Sequence, residues 1–126
     1  YGKKILVPHW VGHLSAFSND YGAETSIRPL VDTIMSDKDQ LLLLSVSGES
    51  PNLIRAAQRA KEKHIVTMGL TGRSGSGILN QITSAAISVC SSDYAVVELV
   101  HAILLSEVIK CLKPTESFFC ADMRKA

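Results

Sequence analysis

The sequence predicts an α/β domain built on a parallel sheet, and three observations carry that prediction. Residues 41–44 (LLLL) and 65–70 (IVTMGL) are apolar runs without polar alternation, as expected of strands buried on both faces. Each run passes at once into a loop of small residues, 45–50 (SVSGES) and 71–77 (TGRSGSG). Between them, Leu53, Ile54, Ala56, Ala57 and Ala60 recur at helical spacing, while Arg55, Gln58, Arg59, Lys61 and Glu62 take the opposite face. Strand, helix and strand at this spacing mean βαβ units with right-handed crossovers.

In chain order, residues 3–7 (KKILV) predict a first strand, and residues 19–22 (NDYG) have the composition of a turn. Residues 26–35 predict a helix with Ser26 at its N-cap and Pro29 in the first turn, where a missing N–H costs little. Residues 37–39 (DKD) form a polar loop before the strand at Leu41. Ser50 and Pro51 are a helix start, serine capping and proline at the first helical position. His64 follows that helix beside Lys61 and Lys63 and carries no chemical signal. After the strand at 65–70, a second mobile loop leads to a short helix within 77–83 and a fourth strand at 86–90. Residues 91–93 (SSD) offer N-caps for a final helix over 94–112, stopped by Pro114. That helix is apolar almost all round, too wide for one small core to cover, so part of it is expected in a subunit interface.

A chain of 126 residues is one domain, and 46% hydrophobic with 20% charged residues is ordinary globular composition. A net charge of +1, with no basic run longer than two, gives no reason to expect nucleic acid. No uncharged apolar stretch reaches the length of a membrane span, so no membrane partner is expected. Cys90, Cys111 and Cys120 show no disulfide or zinc spacing and read as reduced thiols of a cytoplasmic protein. Because the chain opens on Tyr1, it is not expected to be the whole natural polypeptide.

The serine loop carries the clearest chemistry. Hydroxyls of Ser45, Ser47 and Ser50, free amides at a helix N-terminus and the helix dipole converge outside a strand's carboxyl end, where a phosphate binds. The plainer alternative is that these serines only cap a helix and fill a turn. On the last helix Glu98 and His101 lie three apart, hence neighbours. They read either as a base with an orienting carboxylate, as half of a metal site, or as a buried hydrogen-bonded pair. His9 and His13 flank Trp10 on an expected loop and lack further ligands.

Four stretches in this order, residues 18–22 (SNDYG), 44–52 (LSVSGESPN), 70–75 (LTGRSG) and 98–101 (ELVH), resemble the SIS (sugar isomerase) domain, most closely its phosphoheptose isomerase branch. The likeness runs from about Val11 to Lys113, giving a domain over 1–113 and a tail over 114–126. It implies a flavodoxin-like three-layer sandwich, assembled as a homodimer or homotetramer with shared active sites. It also implies that Ser45, Val46 (through its backbone), Ser47 and Ser50 hold a sugar phosphate and that Asn19 and Asp20 touch substrate. The family's metal- and substrate-binding glutamine falls on Glu98, and zinc is an implied cofactor. Its catalytic histidine falls on Ser106, which cannot shuttle a proton near neutrality. The family's glycine-rich loop and the helix bearing a histidine and a glutamate have no counterpart here, so a strand–loop–helix segment is expected to be absent between Val7 and Val11.

Two functions follow from the resemblance. One is an aldose–ketose isomerase acting on sedoheptulose 7-phosphate or a similar sugar phosphate, with Glu98 and His101 as its catalytic residues. The other is a non-catalytic module binding a phosphosugar or a protein partner, like family members that associate with the replication initiator; Ser106 favours it.

Overall fold

The computed structural model describes residues 5–7 and 11–112. A helix α1 (Val11–Tyr21) leads through a 3-10 turn (Ala23–Thr25) to α2 (Arg28–Ile34). Three strands then alternate with helices: β1 (Gln40–Ser45), α3 (Pro51–Glu62), β2 (Val66–Thr71), α4 (Ile78–Ile82) and β3 (Ala85–Ser88). A 3-10 turn (Arg73–Gly75) lies between β2 and α4, and α5 (Tyr94–Leu112) closes the described part. The strands form one parallel sheet in the order β1-β2-β3. Its register sets Ser45 beside Thr71 and Thr71 beside Ser88, so all three carboxyl ends line up on one edge.

One face of the sheet is covered by α2, α3 and α4. Val31, Ala56, Ala60 and Ile65 form one buried cluster with Leu41 against it; Leu43, Ala57 and Leu79 form the next. Alanines on the inner face of α3 let that helix lie close to the strands, while its arginines stay at the surface. Since Leu41 and Leu43 point into this layer, Leu42 and Leu44 point to the other face, on the side of α5. The result is an open α/β sheet with helices on both faces.

Lys63 holds α2 in place. Its ammonium donates to the carbonyls of Val31 (2.8 Å), Asp32 (3.1 Å) and Met35 (2.7 Å), satisfying acceptors that the end of a helix leaves open. His64 ends α3 in the left-handed region, and the N–H of Ile65 reaches back to the carbonyl of Ala60 (2.9 Å).

Several expectations are corrected. Asn19 and Asp20 are the last turn of α1, not a turn of their own; the chain breaks at Gly22, whose φ of 81° suits glycine. His13 is likewise helical, not in a loop. Ser26 caps nothing: it closes the 3-10 turn, its hydroxyl donating to the Ala23 carbonyl (2.9 Å), and α2 begins at Arg28. β1 is not buried on both faces, because Leu44, on the side of α5, is 38% exposed. β3 is an exposed edge strand over Ala85–Ser88. Residues 5–7 are exposed and belong to no strand, so the described sheet has three strands where four were expected. His9, Trp10 and the tail lie outside the described residues.

Candidate phosphate site

β1 ends on Ser45, and the loop beyond it turns through Gly48 at φ 69°, a region open to glycine. The turn brings the serines together. Ser45 Oγ accepts the N–H of Gly48 (3.1 Å) and lies 3.0 Å from Ser50 Oγ and 3.4 Å from Ser47 Oγ. Ser47 Oγ in turn accepts the N–H of Glu49 (3.1 Å). The two contacts of Ser45 use two of the three hydroxyl hydrogens, so one, on Ser50 or on Ser47, remains for a bound acceptor. Ser50 occupies the N-cap position of α3 with Pro51 after it, as expected, yet its side chain makes no capping bond. The plainer reading of these serines, as helix caps, therefore fails for Ser50.

The same loop serves the fold through Glu49, which the sequence did not single out. Its Oε1 accepts the N–H of Ile78 (3.0 Å), and the Gly48 carbonyl accepts that of Leu79 (3.0 Å), so the serine loop caps α4. Only the position of an acid just before a helix in space, not in sequence, reveals that role.

The serines open onto a cavity of about 470 Å³. Leu44, Ser45, Val46, Ser47 and Ser50 form one wall. Tyr94, Glu98, His101, Ala102 and Leu105 of α5 form the other, their spacing defining a single helical face. The wall has no lysine or arginine and one carboxylate. An anion there would be held by hydroxyls and backbone amides, as at other loop and helix-start sites. α5 gets this close because Gly72 has no side chain: a Cβ would come within 2.6 Å of the Val46 carbonyl oxygen and 3.0 Å of Val97. Asp93 starts the helix, its Oδ1 accepting the N–H groups of Ala95 (2.9 Å) and Val96 (3.3 Å).

Of the predicted site residues, Ser45, Val46, Ser47, Ser50, Glu98 and His101 thus share one cavity. Asn19 and Asp20, exposed at the end of α1, do not line it. Tyr94, Ala102 and Leu105 were missed; the face they share with Glu98 and His101 was the available signal. Glu98 and His101 are not the buried pair the sequence allowed. Glu98 is exposed, whereas His101 is 4% exposed and sets Nε2 3.2 Å from the Thr71 carbonyl oxygen. Ser106 is exposed and does not reach the cavity.

No protein-family model matches the chain. A phosphoheptose isomerase of Campylobacter jejuni is 34% identical over 105 residues, 83% of this chain and 55% of its own length. That of Maridesulfovibrio salexigens is 42% identical over 88 residues, 70% of this chain and 42% of its own. Among solved structures, phosphoheptose isomerase from Neisseria gonorrhoeae matches with a TM-score of 0.78 and 27% identity, over 83% of this chain and 59% of its own. Over these residues the chain is similar in sequence and in fold to phosphoheptose isomerases, the branch of the SIS family that its motifs resemble. It spans about half the length of the relatives it matches, which fits the strand–loop–helix segment not seen in this sequence.

The zinc implied by the SIS resemblance does not fit the side chains at hand. Catalytic zinc sites use three protein ligands. Among the described residues no three His, Cys, Asp or Glu side chains come together, and Glu98 is the one carboxylate on the cavity wall.

Proposed function

We propose that this chain binds a sugar phosphate in the Ser45–Ser50 loop and forms part of an aldose–ketose isomerase acting on sedoheptulose 7-phosphate or a similar sugar. One observation supports this most: the hydroxyl cluster opens onto the same cavity as Glu98 and His101, at the carboxyl edge of a parallel sheet, in a chain whose relatives are phosphoheptose isomerases. The phosphate takes the cation-free serine end, and the reacting carbons face α5.

The reaction is internally balanced. A base removes a proton from C1 of the ketose, the electron pair forms a C1–C2 double bond, and O2 takes a proton. The O1 proton then leaves as the C1 carbonyl forms, and C2 receives a proton. Two groups that hold and return protons suffice. Glu98 and His101 are those groups in this reading; Asn19 and Asp20 have no contact with the cavity to support a substrate role within one copy.

The uncovered apolar surface of α5, with Leu99 65% and Ile103 53% exposed, supports a homodimer or homotetramer packed through this helix. Among the described residues, no helix is long and apolar enough to cross a membrane. The exposed cysteines Cys90 and Cys111 support a cytoplasmic setting. A second reading, a phosphosugar-binding module without catalysis, is favoured by Ser106 alone.

The test is turnover of sedoheptulose 7-phosphate by wild type, Glu98→Gln, His101→Ala and Ser106→His. We expect each of the first two replacements to cut kcat by about 10²-fold or more, the usual worth of a positioned acid or base. Robust turnover without Glu98 and His101 would put the chemistry elsewhere. An inactive wild type that still binds the sugar and gains activity on Ser106→His would establish the second reading.

A further inference from the structure

The bond between His101 and Thr71 says more than that a buried histidine has a partner. A backbone carbonyl only accepts, so the ring nitrogen facing it must carry hydrogen. We propose that the Thr71 carbonyl locks His101 as its Nε2–H tautomer and thereby makes Nδ1 the atom that exchanges a proton with the sugar. This rests on the isomerase reading for the identity of the sugar, but the tautomer itself does not.

Three observations carry it. The carbonyl is a fixed acceptor: it ends β2 and also accepts the N–H of Val89 (2.8 Å). The Thr71 side chain is pinned too, its hydroxyl donating to Asn80 Oδ1 (2.9 Å) and lying 2.8 Å from Ser88 Oγ, which accepts from Asn80 Nδ2 (2.6 Å). Rotating the ring to offer Nδ1 instead would abandon this geometry. Second, Nδ1 makes no hydrogen bond among the described residues, yet no buried side-chain nitrogen or oxygen among them lacks a partner. Nδ1 is therefore not sealed in. Third, His101 is one of the residues that line the cavity, on the same helical face as Glu98, which puts its ring beside whatever the cavity holds.

The arrangement suits a group that takes a proton and gives it back. In the neutral ring Nδ1 has its lone pair free. When it takes the C1 proton, that bond's electron pair stays on the sugar, and the imidazolium keeps its Nε2–H on Thr71 as a charge-assisted, stronger hydrogen bond. Returning the proton to C2 restores the neutral ring, with no co-reactant consumed. A carbonyl thus takes the orienting place that a carboxylate fills beside many catalytic histidines.

The experiment is long-range ¹⁵N–¹H NMR of the imidazole in the wild-type chain at alkaline pH, with His101→Ala assigning the signals. We expect a single tautomer, Nε2 pyrrole-like and Nδ1 pyridine-like. An Nδ1–H form, or an averaged mixture, would overturn the proposal whatever the activity. His101→Gln and His101→Asn supply a second arm. Glutamine can still donate to Thr71 from near the Nε2 position, so it should keep the thermal stability that asparagine loses, while both lose turnover by about 10²-fold or more. Turnover retained by His101→Gln would show that Nδ1 is not the working atom. A locked Nε2–H tautomer in a chain without turnover would leave the tautomer assignment intact and sink the isomerase reading together with the proton-exchange role of Nδ1.

Discussion

The loops that close β1 and β2 are made of the same few residue types, and they put them to different uses. After β1, Ser47 and Ser50 are only half-buried and border the cavity with a hydroxyl hydrogen to spare. After β2, Thr71 is fully buried, and its hydroxyl is used up on Asn80 and Ser88. That second loop was expected to be mobile; instead the N–H of Gly72 is fastened to the Val46 carbonyl (3.0 Å) and that of Arg73 to Ser91 (2.9 Å). A glycine- and serine-rich stretch therefore announces a tight turn but not its purpose. What decides is whether neighbouring elements absorb the polar groups or leave them facing open space.

The sharpest way to break the contrast is where the two loops touch. A Cβ on Gly77 would lie 2.7 Å from the Cα of Gly48 and 2.9 Å from its carbonyl oxygen, backbone that cannot yield as a side chain does. Gly77→Ala should cost about 1–3 kcal/mol in denaturant unfolding, as overpacking does, and weaken phosphosugar binding because the serine loop must shift. A smaller effect belongs to the second loop alone. Asn80→Ala removes its bonds to the Thr71 and Ser88 hydroxyls and should cost about 1–2 kcal/mol, with phosphosugar affinity nearly unchanged. Comparable binding losses in both variants would mean that the loops are one unit and the contrast is false.

Much of this was legible in the residues. The apolar runs, the Ser50–Pro51 helix start and the alanine face of α3 reported strand, turn and helix because each rests on local chemistry. What escaped needed partners distant in sequence. The Glu49 carboxylate caps α4 and the Lys63 ammonium caps α2, although both residues lie beside α3 in sequence. Leu44 looked buried within its leucine run, but its exposure depends on what lies across the sheet from α3. Glu98 and His101 were rightly taken as neighbours, yet helical spacing could not show that the histidine turns to the Thr71 carbonyl and the carboxylate does not. The same limit applies to Ser26, a good capping residue whose hydroxyl found the Ala23 carbonyl first.

The central claim is that the spare hydroxyls of the serine loop hold the phosphate. Replacing Ser47 and Ser50 together by alanine removes no core atom, so the effect on folding should be the smallest of the set, within about 0.5 kcal/mol per surface position. Binding should not be spared. Titration calorimetry with sedoheptulose 7-phosphate should show affinity falling tenfold or more, since hydrogen bonds to a charged group are each worth about 1.5–3 kcal/mol. Unchanged affinity in the folded double variant would contradict the account, because the phosphate would then not depend on these hydroxyls.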